Sequence, residues 1–140
     1  MTQFYTAIPV LETEHYQLRG MTVGDTSELF AFHKNKEIMK YITPDPVKTE
    51  AEMREEVLGQ LKRFSDQKEI PWVIINKSNG DLIGSFSFYK LHMFHKKADM
   101  GVVLCGDYQG RGVMTEVLEK VLSFGFGELG LNRIVGDICW

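Results

Sequence analysis

The feature that most limits how this chain can fold is the stretch from Ala98 to Phe126, which combines two apolar runs and a glycine-bearing turn. Residues 98–104 are almost all apolar, a pattern typical of a strand covered on both faces. Farther along, apolar residues recur at helical spacing and predict an amphipathic helix, with Glu116 and Lys120 spaced as an i,i+4 pair on its polar face. The apolar positions are Val113, Met114, Val117, Leu118, Val121 and Leu122. The sequence therefore predicts a turn where a strand passes into a helix.

The turn, residues 107–116, carries Gly110 and Gly112 on either side of Arg111. The first amides of a helix lack partners inside it and lie at the positive end of its dipole, so they favour anions. Glycines let the backbone approach a phosphate, and arginine adds a cation. A tight turn without a ligand is the alternative interpretation. The P-loop pattern fails because no Gly-Lys-Ser/Thr follows, and Thr115 stands where the dinucleotide fingerprint has its third glycine.

Composition narrows the class of protein. The chain has 140 residues, of which 44% are hydrophobic and 25% charged, and this predicts a single globular domain over residues 1–140. The formal net charge is −3 and the basic residues form no stripe, which argues against binding of nucleic acid. Residues 1–10 lack the pattern of a secretory signal, and no apolar stretch approaches the ~20 residues of a membrane helix. We therefore expect a cytoplasmic protein.

The rest of the chain predicts strands on both sides of a helical pair. A poorly constrained lead-in, residues 1–14, precedes a first strand at 16–21. Asp25 with Glu28, and Thr49 with Glu52, are capping-box signatures that predict helices from about 25 to 35 and from 50 to 66. A hairpin follows, with strands 71–76 and 82–89, a turn at Asn79-Gly80 and a connection over 90–97.

Residues 132–138 predict a final strand. A strand, a crossover helix and a second strand form a βαβ unit, so this strand should lie parallel to the central one. The predicted fold is α/β of the α+β kind, with a mixed, mainly antiparallel sheet.

Two residue types invite other chemistry. His92 and His95 have His-x-x-His spacing, but no helix signature or acid pair supports a metal site, so we assign no metal and expect two exposed loop histidines. Cys105 and Cys139 are isolated, without the paired spacing of a zinc site or a redox couple. A cysteine nucleophile at Cys105 remains a weak alternative because no histidine lies near it in sequence.

The segment Gln109-Gly110-Arg111-Gly112-Val113-Met114 resembles the Gln/Arg-x-x-Gly-x-Gly/Ala motif of the GNAT superfamily of acetyl-coenzyme A dependent N-acetyltransferases. It follows the expected strand. Residues 108–112, followed by Met-Thr-Glu, are similar to the branch that contains the ribosomal-protein N-terminal acetyltransferases. Met114 departs from the final Gly/Ala of the motif and narrows the approach to a pyrophosphate.

The resemblance implies a GNAT-like fold in which the βαβ unit binds acetyl-CoA, the cosubstrate, between splayed parallel strands. The backbone of Val102, Val103 and Leu104 would pair with the pantetheine arm, an amide near Val103 would stabilise the oxyanion, and Tyr41 with the loop at 44–46 would border the acceptor. The implied pyrophosphate ligands are Gln109, Gly110, Arg111, Gly112, Val113, Met114 and Thr115. Asp99 and Asp137 are the carboxylates whose strand positions could face the cleft, and the resemblance implies that one of them acts as a base through water. The alternative for Asp99 is an acid in a surface salt link or facing solvent, and for Asp137 it is a disordered terminus.

The resemblance also implies that the chain is incomplete at its C-terminus. Members of the family continue with a helix and two further strands, and their thiolate proton donor commonly lies on that helix. A truncated chain, a natural fragment and a domain completed by a partner, including a homodimer, all fit the sequence.

Three functions follow from these observations. The leading hypothesis is an N-acetyltransferase that acts by direct attack on a primary amine, either a protein N-terminus or a small molecule. The alternative is a non-catalytic coenzyme A binding module, or a fragment that needs a partner chain. A dinucleotide-binding enzyme is disfavoured by the missing third glycine and by the antiparallel strands before the motif.

Overall fold

The structure is a computed structural model that describes residues 7–33, 49–104 and 112–138. Within these residues six strands form one sheet, in the order β1-β2-β3-β4-β5-β6. A 3₁₀ turn at Val23–Asp25 leads into α1, and a π-helical turn at Phe124–Glu128 follows α3. The elements are β1 (Leu11–Glu12), β2 (Tyr16–Gly20), α1 (Thr26–His33), α2 (Glu50–Ser65), β3 (Ile70–Asn76), β4 (Leu82–His92), β5 (Lys97–Leu104), α3 (Val113–Ser123) and β6 (Arg133–Ile138).

Strands β1 to β5 are antiparallel to their neighbours, and β6 runs parallel to β5. The β5–β6 register begins at Lys97 opposite Arg133 and reaches Val102 opposite Ile138. A parallel pair needs a crossover connection, which α3 supplies. The predicted mixed, mainly antiparallel sheet and its βαβ unit are confirmed.

The central strand β5 is covered on both faces, as its apolar sequence predicts. Met100 and Val102 belong to a cluster that includes Val117 of α3. Val103 belongs to a second cluster with Met53 of α2. Side chains alternate along a strand, so one face of β5 packs on α3 and the other on the α1–α2 side. Any acid on the second face therefore lies on the side of the sheet opposite α3.

An aromatic cluster forms the centre of the larger core. Trp72 is fully buried and makes edge-on contacts with Phe88 and Phe124, at ring-centroid distances of 5.8 and 5.6 Å. Its indole Nε1 donates a hydrogen bond of 2.7 Å to the carbonyl oxygen of Pro9. Buried aromatic pairs add to area burial by about 1 kcal/mol each, so this cluster ties the N-terminal segment and the end of the α3 region to the sheet.

Helix α2 agrees closely with its prediction. It spans Glu50–Ser65, and the hydroxyl of Thr49 accepts a hydrogen bond of 3.1 Å from the Glu52 amide. The start of α1 differs from the predicted cap, in which Asp25 is the first capping residue. Thr22 caps the preceding 3₁₀ turn instead, and the carboxylate of Asp25, the third residue of that turn, accepts a hydrogen bond of 2.8 Å from the Thr22 amide. The loop with Tyr41 and residues 44–46 lies outside the described residues.

Two strand boundaries also differ from the prediction. Leu11 lies within the predicted lead-in, yet it is buried and belongs to β1, where it pairs with Leu18 of β2. A two-residue strand is too short to show a period, so sequence pattern does not reveal it. Strand β4 continues to His92, beyond the predicted end at Tyr89, through an irregular register between those two residues.

Candidate active site

The predicted turn ends at Gly112, which has φ 77° and ψ 0° and precedes the first residue of α3. This left-handed conformation favours glycine, and a Cβ built there would meet no atom of the described residues within 4 Å. The Glu116 amide donates to the Gly112 carbonyl at 3.2 Å, so the helix begins here. The amides of Val113 to Thr115 therefore occupy the first turn, whose N–H groups have no intrahelical partner. Gly112 and Thr115 are exposed, which leaves room for an anion beside them.

Three of the predicted pyrophosphate ligands, Gln109, Gly110 and Arg111, lie outside the described residues. The structure therefore describes the helical half of the motif. Val113 and Met114 are buried against the core, so only their backbone amides could reach a ligand.

The last residues of β5 pack in the same core cluster as the first residues of α3. Val102, Val103 and Leu104 are buried, and the β5–β6 register extends to Val102 opposite Ile138. Val103 and Leu104 continue past that pair, which is the last of the register between described residues. On its other side β5 pairs with β4, with Val103 opposite Ser85. The three residues predicted to bind pantetheine thus form the last part of β5.

Gly84 brings β4 unusually close to the same place. A Cβ at Gly84 would overlap the Val103 carbonyl oxygen and stand 2.9 Å from Leu104 Cδ2. Gly84 is opposite Leu104, next to a register shift between Ile74 and Ile75. A glycine inside a strand commonly marks a bulge or a close backbone approach, and both features occur at Gly84.

Asp99 lies on the α1–α2 face of β5, four residues before Val103 and on the same side of the strand. Its side chain is 32% exposed, and an oxygen of its carboxylate lies 3.9 Å from Lys90 Nζ. It is opposite Tyr89 of β4 and Val135 of β6. This position combines partial access to solvent with one nearby cation.

The second predicted acid, Asp137, is opposite Gly101 in the β5–β6 register. Asp99 is opposite Val135, so the two acids occupy neighbouring strands two positions apart. The side chain of Asp137 lies outside the described residues. The backbone therefore brings both positions to one region of the sheet.

A polar row on β4 was missed by the sequence reasoning. Ser85, Ser87 and Tyr89 alternate with the buried Phe86 and Phe88. The Tyr89 ring also approaches Gly101, where a Cβ would stand 3.3 Å from the ring carbon Cε1. The alternation of polar and aromatic residues over 85–89 was the available signal, because it predicts that Ser85, Ser87 and Tyr89 share one face of their strand, and the register then places that face with Asp99.

Glu116 differs from its predicted role as a partner of Lys120. Its carboxylate accepts hydrogen bonds from the Thr13 hydroxyl and from the His15 amide, the latter at 2.9 Å. Its other oxygen lies 2.9 Å from His15 Nδ1. The reason is the curl of the sheet, which places the β1–β2 turn next to the first turn of α3, a proximity that local spacing does not reveal.

His92 and His95 are exposed, and their ring centroids are 4.3 Å apart. The His92 Nδ1 atom accepts from the His95 amide at 3.3 Å. Across residues 7–33, 49–104 and 112–138, no three His, Cys, Asp or Glu side chains gather as metal ligands. The same part of the chain contains no helix long and apolar enough to cross a membrane.

A mixed sheet whose two parallel strands are separated in the chain by a glycine-capped helix defines the class of protein. Residues 16–139 match the acetyltransferase (GNAT) domain family. The chain is also 31% identical over 130 residues to an uncharacterized N-acetyltransferase, YoaA, of Bacillus subtilis (strain 168), covering 90% of this chain and 71% of that protein. This chain therefore belongs to the GNAT acetyltransferase family, and its cosubstrate is acetyl-CoA.

Other relatives differ in their named substrates. A spermidine N(1)-acetyltransferase of Vibrio cholerae is 25% identical over 117 residues, covering 84% of this chain and 65% of that protein. The structure of RimL, a ribosomal L7/L12 alpha-N-protein acetyltransferase in complex with coenzyme A, has a TM-score of 0.83 at 20% identity. That similarity covers 91% of this chain and 73% of RimL, and it confirms the fold.

The described residues fit the cosubstrate at the helical half of the motif. The open space at Gly112 and the exposed amide turn would admit a pyrophosphate without a Cβ in the way. The nearest acid in sequence, Glu116, is engaged by Thr13 and His15. The geometry therefore leaves an anion-accepting turn at the end of the central strand.

Proposed function

We propose that this chain transfers acetyl directly from acetyl-CoA to a primary amine, either a protein N-terminus or a small molecule. The observation that carries the proposal is the left-handed Gly112, which precedes the first turn of α3, a helix whose first residues pack in the same core cluster as the last residues of β5. Family membership supplies the cosubstrate, and this turn supplies a place for its anionic part.

The proposed cofactor site has two parts. The backbone from Gln109 to Thr115 holds the pyrophosphate, because amides at a helix N-terminus stabilise negative charge. Val102, Val103 and Leu104 hold the pantetheine arm through backbone hydrogen bonds, as an added strand would. Their place in the last part of β5, on the strand that pairs in parallel with β6, supports this assignment.

The proposed reaction begins with attack of the neutral amine nitrogen on the thioester carbon. A tetrahedral oxyanion forms, stabilised by the amide of Val103, and then the carbon–sulfur bond breaks. The amine proton passes to Asp99 through water, the thiolate of coenzyme A takes up a proton from solvent, and Asp99 returns its proton to solvent, so that the products are the acetylated amine and coenzyme A. Asp99 is supported by its partial exposure and by its place on the face of Val103. Asp137 is the second candidate base, supported by its register opposite Gly101.

The acceptor is proposed to bind on the α1–α2 face of the sheet, beside Asp99 and the polar row of Ser85, Ser87 and Tyr89. A carboxylate there favours a cationic acceptor and can also receive its proton. The named substrates of the relatives, spermidine and a ribosomal protein N-terminus, are both amines. Either class fits this face.

A thiol-release assay with acetyl-CoA tests the function. The acceptors are spermidine, a short peptide with a free N-terminus, and the same peptide with its N-terminus blocked. We expect release with at least one free amine and none with the blocked peptide lacking lysine. Saturable binding of acetyl-CoA without release to any amine would instead support the non-catalytic binding module. A folded chain that does not bind acetyl-CoA would contradict both.

A further inference from the structure

The β1–β2 turn is fastened to the first turn of α3 through one carboxylate. One carboxylate oxygen of Glu116 accepts hydrogen bonds from the Thr13 hydroxyl and the His15 amide. Its other oxygen lies 2.9 Å from His15 Nδ1. The Glu116 side chain is 26% exposed, so water competes only partly for these bonds. We call this set of contacts the Thr13–His15–Glu116 latch.

The turn that supplies the donors is itself held in place. The Thr13 hydroxyl accepts from the Tyr16 amide at 3.0 Å, and the Thr13 amide donates to the Tyr16 carbonyl at 2.9 Å. Lys77 contacts the turn twice, because its Nζ donates to the Thr13 carbonyl at 2.7 Å and its amide to the His15 carbonyl at 3.0 Å. The latch therefore joins α3 to the β2–β3 part of the sheet.

Glu116 is close to the proposed pyrophosphate turn through its backbone. Its amide donates to the Gly112 carbonyl at 3.2 Å, which is the first helical hydrogen bond of α3. Fixing Glu116 therefore fixes the direction of the Gly112 peptide and of the amides at Val113 to Thr115. The three protein donors also draw the carboxylate toward the β1–β2 turn, which limits its repulsion of an anionic ligand.

We propose that Glu116 is a positioning residue for acetyl-CoA, holding the pyrophosphate-binding turn in place through Thr13 and His15. This inference rests on the proposed cofactor role of Gly112 to Thr115. Glu116 itself touches neither the cosubstrate nor the reacting atoms.

The latch depends on protonation at both ends. Hydrogen bonding to Glu116 is the main cause that raises the pKa of His15. Burial acts to raise the pKa of Glu116, but the bonds from Thr13 and His15 outweigh it and the pKa is lowered. Glu14 adds to the rise at His15 and Lys77 opposes it. Both side chains are therefore charged at pH values between the pKa of Glu116 and the pKa of His15. The latch weakens as the pH rises through the pKa of His15, because His15 then loses its charge.

The test measures acetyl-CoA affinity by calorimetry on the whole chain at pH 6 and pH 8. Glu116→Gln and Thr13→Val should weaken binding by about three- to tenfold at pH 6, the factor expected for one lost hydrogen bond. Thr13→Ser keeps the hydroxyl and should retain the affinity. Glu119→Gln removes an exposed acid from the same helix and should leave binding unchanged. In His15→Gln, the ratio of the acetyl-CoA affinity at pH 6 to that at pH 8 should be smaller than in the unaltered chain.

A general loss of structure is separated from positioning by kinetics and by the conservative variant. If the chain turns over, the KM for acetyl-CoA should rise in Glu116→Gln while kcat at saturation stays the same. If Glu116→Gln does not fold, the comparison of Thr13→Val with Thr13→Ser tests the inference instead. Equal affinity in Thr13→Val, Thr13→Ser and the unaltered chain would overturn the inference. If the unaltered, folded chain does not bind acetyl-CoA, the proposed function fails first and this inference fails with it.

Discussion

Gly84 on β4 lies so close to Val103 on β5 that any Cβ at position 84 would overlap the Val103 carbonyl oxygen. The backbone of β5 therefore leaves no space for a side chain at position 84, beside the residues proposed to bind pantetheine. Strand spacing in a sheet is set by backbone hydrogen bonds, so the closeness requires a residue without a side chain.

Gly84→Ala should both destabilise the chain and weaken acetyl-CoA binding. The added methyl group forces β5 to move, at a cost of about 1–3 kcal/mol, and displaces the backbone of Val103 and Leu104. Urea unfolding and calorimetric titration measure the two effects. Gly127→Ala is the matched control, because a Cβ there meets nothing within 4 Å. Unchanged affinity in a folded Gly84→Ala chain would argue against a pantetheine role for this part of β5.

Gly112→Ala tests the pyrophosphate turn, and Gly80 provides a close control. Both glycines have nearly the same φ, 77° and 76°, and a Cβ at either would meet nothing within 4 Å. Alanine at each should cost a similar strain of about 1–2 kcal/mol. Only Gly112→Ala should also weaken the binding of acetyl-CoA, which calorimetry can measure. Equal affinity in the two variants would show that the Gly112 turn does not hold the cosubstrate.

The order of elements was predictable because the period of each long element survives in the sequence. The apolar run of residues 98–104 identified β5, and Thr49 with Glu52 identified the start of α2. The Thr13–His15–Glu116 latch was not predictable, since its members are about a hundred residues apart and meet only through the curl of the sheet. Short-range spacing instead suggested a partner for Glu116 on its own helix.

The site was predictable in part for a related reason. Gly112 carries a local signal, because a glycine between a strand and a helix is needed where φ is positive. Asp99 also could be assigned to a face of its strand by alternation. Tyr89 could not be linked to it from the sequence, because the register of β4 against β5 depends on irregular pairing beyond residue 89. The pairing register between two strands is a tertiary property, and a local sequence pattern does not contain it.

Asp99→Asn tests the proposed base by its effect on rate. Asparagine keeps the shape but cannot take up a proton, so the transfer rate should fall by about a hundredfold, the lower range for general base catalysis. The acid-side limb of the pH–rate profile should also change. Lys90→Gln is the control, because it removes the cation 3.9 Å away and leaves the carboxylate. An unchanged profile in Asp99→Asn would exclude Asp99 and leave Asp137 as the candidate.

Asp25→Asn should destabilise the start of α1. Asp25 is buried and binds Arg19 through two hydrogen bonds, of 2.8 and 3.0 Å, while it also accepts from the Thr22 amide. Burial acts to raise the pKa of Asp25, but the bonds from Arg19 and Thr22 outweigh it and lower the pKa below its ordinary value. The charged form therefore stabilises the fold above that ordinary value, and the stabilisation is lost as the pH falls through the folded-state pKa.

We expect Asp25→Asn to lower the free energy of unfolding at pH 7 by about 2 kcal/mol, the scale of a hydrogen bond to a charged group. The difference from the unaltered chain should shrink toward pH 3. Urea midpoints at a series of pH values measure it, with the exposed Asp81→Asn as control. A deficit that stays constant across that range would mean that shape, and not charge, is what Asp25 contributes.

Glu69 should make the fold less stable as the pH rises. Its carboxyl is buried at the start of β3, where Oε1 accepts from Arg63 Nε at 2.7 Å and Oε2 has no hydrogen-bond partner among the described residues. Burial raises the pKa of Glu69, and Arg63 opposes that rise only in part. A raised folded-state pKa gives stability that is complete below the unfolded-state pKa and lost as the pH rises through the folded-state pKa.

Glu69→Gln removes this buried charge, so its stability relative to the unaltered chain should improve between pH 4 and pH 7. Arg63→Gln leaves the carboxylate without its cation and should have the opposite trend, with a larger deficit at pH 7 than at pH 4. Urea unfolding at pH 4, 5.5 and 7 distinguishes the two variants. A Glu69→Gln deficit that grows from pH 4 to pH 7 would show that the ion pair with Arg63 outweighs the cost of burying the charge, and a deficit that is equal at all three pH values would show that the charge of Glu69 does not affect stability.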